Sequence, residues 1–157
     1  MLKSTSSQMP AYIVEKLLYL LAALKKERDQ YTRAASTISN KQLKDNINIL
    51  AQENNQYASE LFSQIQMLGA ENRNTDGIAG IAKAFDEQSP ADVAGDSLQS
   101  TGEILQVCRD SEKKMIRVYR EILNEPYLIE DIRRLIRCQL NGIMYAFLRL
   151  KLFSSTM

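Results

Sequence analysis

The chain has 157 residues, of which 45% are apolar, and this length predicts a single domain. Its 20 basic and 19 acidic residues give a formal charge of +1, so charge gives no reason to expect nucleic acid or an acidic membrane as a partner. The longest apolar run, Leu17–Leu24, is far shorter than the roughly 20 residues that cross a bilayer. Two cysteines cannot form a disulfide framework, which predicts a reducing, cytoplasmic location.

The first half of the chain predicts two helices. Residues 1–9 are expected to be a disordered tail, and Pro10 suits the first position of a helix that runs to about Ile38. Ser39 and Gln42 have the spacing of a capping box, and they open a second helix that ends near Gly69.

The second half predicts a long connection and two further helices. Residues 70–96 hold six acidic residues and two basic ones, and Ile78–Phe85 within them can form a short helix. A third helix is predicted from about Ser97 to Asn124. Pro126 opens a fourth that continues to Phe153, and residues 154–157 form a tail.

The lengths of the connections predict the fold class. The two outer connections are short, so helices one and two, and helices three and four, should form antiparallel hairpins. The connection at about 70–96 can span a helix of about 40 Å, which lets helix three start at the far end of the bundle. We therefore predict an all-α protein, a ferritin-like four-helix bundle over residues 10–153 with a long crossover between helices 2 and 3.

Each predicted helix carries an apolar stripe at alternating spacings of three and four, which is typical of a bundle core. A polar residue interrupts each stripe near the middle of its helix. These residues are Glu27 or Arg28, Asn54, Glu112 and Gln139. The matching depth predicts one buried polar layer, reached by the hydroxyls of three core tyrosines, Tyr31, Tyr57 and Tyr119.

Three short motifs carry a family resemblance. YTRAAS in helix one, ENNQYASEL in helix two and EKKMIRVYREIL in helix three resemble bacterial ferritin-like four-helix-bundle proteins of unknown function. The resemblance covers most of the chain from about Leu20 onward. It implies the ferritin-like fold, whose wider superfamily commonly holds two irons between glutamates of all four helices and two Glu-x-x-His motifs.

The chain departs from that ligand pattern. Only Glu112, and Glu27 in one register, stand at matching places, whereas Asn54 and Tyr57 occupy the positions of a carboxylate and a histidine. Helix four offers Gln139 and Phe147, and the sequence contains no histidine. Two carboxylates with amides and no imidazole make a poor di-iron site.

We therefore expect a metal-free layer with no cofactor, in which Arg28 pairs with Glu112 while Asn54 and Gln139 complete the hydrogen bonds. A buried carboxylate without a partner would cost several kcal/mol, so a nearby cation is required. Two alternatives remain open, namely a functional metal site and a shifted register in which these residues line a wet groove.

Cysteine and arginine positions are interpreted as structural. Cys108 lies on the helix-three stripe and is predicted to be a small core residue, while Cys138 points away from its stripe, so no disulfide is expected. Arg133, Arg134 and Arg137 lie beside acidic residues and predict a solvated, salt-bridged face rather than an anion or nucleic-acid patch.

Two helices carry more apolar surface than one core seam requires. Tyr145, Leu148 and Leu152 form a second stripe on helix four, and Val14, Leu18 and Leu21 widen the stripe of helix one. Extra apolar surface of this kind marks interfaces, and we predict a homodimer. The alternative is that the N-terminal tail or the crossover covers these residues.

The sequence shows no nucleophile with a base and no phosphate-binding loop, which favours a protein that is not an enzyme. The first hypothesis is a structural or protein-interaction module, with a partner that the sequence does not identify. The alternatives are a di-iron or iron-handling protein and a helical chaperone or adaptor that holds a foreign helix.

Overall fold

The computed structural model describes residues 9–71 and 100–155, which form four α-helices. These are α1 (Ala11–Ser36), α2 (Lys41–Glu71), α3 (Thr101–Leu123) and α4 (Glu130–Ser154). The described residues contain no β-strand, so the all-α prediction is confirmed. The predicted helix at 78–85, nearly all of the crossover and residues 1–8 of the N-terminal tail lie outside the described residues, as do residues 156–157.

Two helix starts are fixed by side-chain caps. The Asn40 side-chain oxygen accepts a 3.0 Å hydrogen bond from the Leu43 amide, so Asn40 caps α2 and the predicted Ser39–Gln42 capping box is wrong. A capping box does occur at α3, where the Ser100 hydroxyl accepts from the Glu103 amide at 3.1 Å and the Glu103 carboxylate accepts from the Ser100 amide at 2.8 Å.

The fourth helix begins later than predicted. Pro126 lies in the turn after α3, and α4 starts only at Glu130. The Arg133 guanidinium donates to the Leu123 carbonyl and, at 2.7 Å, to the Glu125 carbonyl. Arg133 thereby joins the last residue of α3 to the turn that follows it, since Leu123 ends the helix and Glu125 lies in the turn.

Side-chain contacts give the direction of α1 relative to α3. Glu27 contacts Lys114, and Tyr31 contacts Ser111, so numbers fall along α3 as they rise along α1. The two helices are therefore antiparallel.

The same test orients α4. Gln139 contacts Glu60 of α2 and Tyr119 of α3, while Arg149, further along α4, contacts the earlier Glu53 of α2. Lys151 likewise reaches Glu112, which precedes Tyr119 on α3. Consequently α4 is antiparallel to both α2 and α3.

Among the described residues, α1 and α4 each pack against α2 and α3, and they face each other across a diagonal of the bundle. The other diagonal holds α2 and α3, which run in the same direction. The end of α2 and the start of α3 therefore lie at opposite ends of the bundle.

The core is built from the predicted stripes, most of whose members are buried. The buried apolar stripe residues are Ile13, Leu17, Leu20, Leu24, Tyr31, Ala35, Ile38, Leu43, Ile47, Leu50, Leu61, Ile65, Cys108, Met115, Tyr119, Ile122, Ile132, Ile136, Ile143, Phe147 and Leu150. No described helix offers a stretch long and apolar enough to cross a membrane.

The widened apolar face of α1 also belongs to this core. Val14, Leu18 and Leu21 are buried within the chain, so their predicted place in a dimer interface is wrong. The physical reason is that α1 packs against two neighbouring helices and needs apolar side chains toward both.

Candidate functional site

The five predicted polar-layer residues do not share one environment. Glu27, Asn54 and Gln139 are buried, whereas Arg28 and Glu112 are only partly buried. Glu27 and Gln139 belong to two separate groups of polar contacts, and no side-chain hydrogen bond between described residues joins Asn54 to either group.

The predicted pair between Arg28 and Glu112 is wrong. The Arg28 guanidinium donates to Asp29 at 3.0 Å and to the Asn55 side-chain oxygen at 2.9 Å, both at the surface of the α1–α2 hairpin. Glu112 instead accepts a 3.1 Å hydrogen bond from Lys151. Arg28 follows the buried Glu27 by one residue, which rotates it about 100° away from the seam at 3.6 residues per turn.

The first network, which we name the α1–α3 network, consists of Glu27, Tyr31, Ser111 and Lys114. The Lys114 ammonium donates to the Glu27 carboxylate at 3.3 Å, and the two side chains are 29% and 4% exposed. Lysine can bury its aliphatic stem while its charge stays near water, so Glu27 is neutralised from the rim of the bundle. One layer further along, Tyr31 and Ser111 form a buried hydrogen bond between their hydroxyls.

Burial keeps the nucleophilic groups of this region protonated. Desolvation raises the pKa of the Tyr31 hydroxyl well above its ordinary value, although the hydrogen bond to Ser111 acts in the opposite direction. Burial also raises the pKa of the Cys108 thiol to about 12. A thiol with this pKa carries almost no thiolate near neutral pH.

The second network, which we name the Gln139 network, joins three helices through Tyr57, Glu60, Tyr119 and Gln139. The Gln139 amide nitrogen donates to the Tyr57 carbonyl at 3.2 Å and to the Glu60 carboxylate at 3.0 Å. Its oxygen accepts from the Tyr119 hydroxyl at 2.7 Å. Every polar atom of this buried amide is therefore used inside the protein.

The two networks lie at different heights, so the prediction of one shared layer is wrong. Lys114 and Tyr119 belong to different networks and are five residues apart on α3, which corresponds to about 7.5 Å along the axis. The prediction compared the middle of each helix. Because the helices begin at different heights, middle positions do not coincide.

Tyr57 contacts the Gln139 network through its backbone carbonyl rather than through its hydroxyl as predicted. Its hydroxyl lies against Gly142 of α4, where an added Cβ would be only 2.3 Å away. Burial, with Glu53 and Glu60 acting in the same direction, raises the pKa of Tyr57 to about 12. The close approach of α2 to α4 therefore depends on the glycine.

The donor set does not fit a di-iron site. Glu27 is paired with Lys114, Glu60 accepts from Gln139, and the remaining buried groups are hydroxyls and amides. Within residues 9–71 and 100–155, no three His, Cys, Asp or Glu side chains are grouped so that they could hold a metal ion. Two irons need several anionic oxygens and usually imidazoles, and the whole chain has no histidine.

No family model, curated protein or solved structure matches the chain. Its function therefore has to be argued from its own geometry.

An exposed apolar surface lies on α4. Tyr145, Leu148 and Leu152 are 63%, 52% and 61% exposed, and they follow one another at spacings of three and four. The Arg149 guanidinium lies 5.5 Å from the centre of the Tyr145 ring and 3.7 Å from the carboxylate of Glu53. We name the three apolar side chains the α4 stripe.

Other predicted residues are placed as expected or reassigned. Cys108 is buried and Cys138 is exposed, and both are free thiols in the structure. Arg134 and Arg137 are exposed, and Arg133 forms the expected kind of ion pair, 3.8 Å from the exposed Glu130 carboxylate. Arg133 also donates to the carbonyls of the turn.

Sequence reasoning missed two members of the α1–α3 network. Ser111 and Lys114 were overlooked because Glu112 was placed on the seam of helix three. Cys108, Ser111 and Met115 keep the same alternation of three and four, and this register places Ser111 inward. The signal for Ser111 was therefore present, whereas nothing in the sequence marks Lys114 as the partner of Glu27.

Proposed function

We propose that this chain is a non-enzymatic helical bundle that acts as a protein-interaction module and lacks a di-iron site. One observation carries the proposal: among the described residues, every buried side-chain nitrogen or oxygen has a hydrogen-bond partner. A metal or substrate would have to displace hydrogen bonds that already satisfy these groups, at a cost of about 1–3 kcal/mol for each polar group left unpaired.

We also propose ferritin-like connectivity. Its support is that α2 and α3 run in the same direction on one diagonal, so their joined ends lie at opposite ends of the bundle. Residues 72–99 supply enough chain, at about 3.3 Å per residue, to join points about 40 Å apart. The two free thiols support a reducing compartment such as the cytoplasm.

The proposed interface is the α4 stripe, which pairs with the same stripe of a second copy. A symmetric pair uses one self-complementary surface twice, and two antiparallel copies of α4 would bring Tyr145 of one chain toward Leu152 of the other. Because these side chains are more than half exposed in the single chain, a partner would remove substantial apolar surface from water.

Light scattering and metal analysis of one sample test both parts of the proposal. We expect a dimer mass at micromolar concentration, and a monomer mass for the L148E/L152E variant. M67E is the matched control, because Met67 is an exposed apolar residue of α2 away from the stripe. A wild-type mass that stays monomeric up to about 100 μM contradicts the dimer. Two irons per chain in protein purified without chelator contradict the metal-free bundle.

A further inference from the structure

An open groove of about 490 Å³ runs along the outer side of α3 beside the end of α4. Its basic lining comes from Lys113, Arg117 and Arg120 of α3 and from Lys151 of α4. Ile116, which is packed partly into the core, contributes an apolar patch to the same groove.

Three of these cations form a regular row. Lys113, Arg117 and Arg120 are exposed and follow one another at spacings of four and three, so they share one face of α3 over about 10.5 Å. None of the ion pairs or hydrogen bonds between described residues occupies them. Lys151 differs, because its ammonium is held by Glu112 at 3.1 Å.

The α4 helix carries a further apolar side chain near this groove. Met144 precedes Lys151 by seven residues, about two turns, which places it on the same side of α4 as the lysine. Met144 is 39% exposed. The cations of α3 therefore have the apolar Ile116 in the same lining, and Met144 lies on the side of α4 that carries Lys151.

We propose that this groove binds an acidic amphipathic helix of a partner protein. This inference rests on the proposed function as an interaction module, and it names the chemistry of the partner. Carboxylates at spacings of four and three on the partner would meet Lys113, Arg117 and Arg120, while its adjacent leucines would cover Ile116 and Met144. The charge complementarity sets orientation and rate of binding, and the apolar contact supplies most of the affinity.

A protein helix fits this groove better than nucleic acid does. Glu112 and Glu121 lie in the same lining and would repel a phosphate backbone, and the lining contains no aromatic side chain on which a base could stack. A helix with only three carboxylates in the facing row can avoid both glutamates, whereas a continuous polyanion cannot.

Fluorescence anisotropy of the full-length chain tests the proposal with a designed probe. The probe is a labelled 21-residue helical peptide with glutamates in the facing row and leucines in the adjacent row. We expect saturable binding that weakens at least tenfold in R117E/R120E and weakens as salt rises from about 50 to 300 mM. The matched control R134E/R137E reverses the same charge on exposed arginines of α4 and should change the affinity less than twofold.

Four results overturn the proposal: no binding at 100 μM peptide, equal loss in both double variants, tighter binding of a lysine-for-glutamate peptide, or tighter binding of a 20-base RNA. Circular dichroism of each variant shows that lost binding is not lost folding. Light scattering on the same samples separates the two proposals. A chain that dimerises but does not bind the probe contradicts only the groove assignment, and a dimer abolished by R117E/R120E assigns the groove to a second copy instead.

Discussion

The two buried networks satisfy polar groups inside the bundle in different ways. The Gln139 network is dominated by a neutral amide and a neutral tyrosine hydroxyl, and it ties three helices together in the interior. The α1–α3 network holds a buried carboxylate, and its counterion comes from a lysine whose ammonium lies at the edge.

The comparison shows two ways in which a bundle can satisfy buried polar groups with its own side chains. Neutral groups can be satisfied deep in the core by an amide that both donates and accepts. A charge needs an opposite charge, and the desolvation of an ion pair is reduced when one partner keeps contact with water. Substitutions can measure the contribution of each arrangement to stability separately.

The largest effect is expected for K114M, which leaves the Glu27 carboxylate buried without its counterion. Removing one partner of a buried pair costs about 3–5 kcal/mol. Because Lys114 is 29% exposed, we expect the lower end, about 3 kcal/mol of unfolding free energy, measured by urea denaturation. The double variant E27Q/K114M removes the charge as well and should recover at least half of that loss. A loss below about 0.5 kcal/mol in K114M would mean that Glu27 is neutralised by another group.

A smaller loss, about 2 kcal/mol, is expected for Q139L, because it leaves the fully buried Tyr119 hydroxyl without an acceptor. The matched variant Y119F/Q139L replaces both partners with apolar groups and should return to within about 1 kcal/mol of the wild type. If the double variant is as unstable as Q139L, the contacts of the amide with α2 account for the loss, and the tyrosine does not.

The third substitution changes sign with its background. In G142A the new Cβ lies 2.3 Å from the Tyr57 hydroxyl, and relieving that overlap costs about 1–3 kcal/mol. Replacing a helical glycine by alanine gains about 1 kcal/mol, so we expect a net loss of about 1 kcal/mol in thermal or urea unfolding. In Y57F the nearest ring carbon is 3.4 Å away, an ordinary contact, so G142A should stabilise that variant. Destabilisation of equal size in both backgrounds would show that the hydroxyl is not the obstacle.

The fold was predictable because it depends on long periodic patterns. Spacings of three and four over more than twenty residues located all four helices and most of the core, and the errors were at helix starts. Pro126 suited a helix start, but Arg133 holds the turn and delays α4 to Glu130. Such a contact between separated residues leaves no periodic signal.

The site was harder to predict because it depends on the relative heights of the helices along the bundle axis. It also depends on how far each helix is rotated about its own axis. Gln139, Asn54 and Glu27 were recognised as buried polar positions, since each lies on an apolar stripe. Their partners were not, because Lys114 meets Glu27 only after two helices have packed in a particular register. The α1 residues that were assigned to an interface belong to the core instead. Periodicity shows which face of a helix is apolar, but it does not reveal how many neighbouring helices cover that face.

The smallest effect is expected in the labelling rates of the two cysteines, because Cys108 reports on the opening of the α1–α3 network and Cys138 reports on the surface of α4. Cys108 precedes Ser111 by one turn of α3, and burial raises its pKa to about 12. Cys138 is exposed beside Gln139. At pH 8, iodoacetamide should modify Cys138 at once and Cys108 only when α1 and α3 separate, because thiolate and access are both required. K114M should accelerate the labelling of Cys108, measured by mass spectrometry, and leave the rate at Cys138 unchanged. Equal labelling rates at the two thiols in the wild type would show that the buried Cys108 is as accessible as the exposed Cys138, and hence that α1 and α3 separate readily.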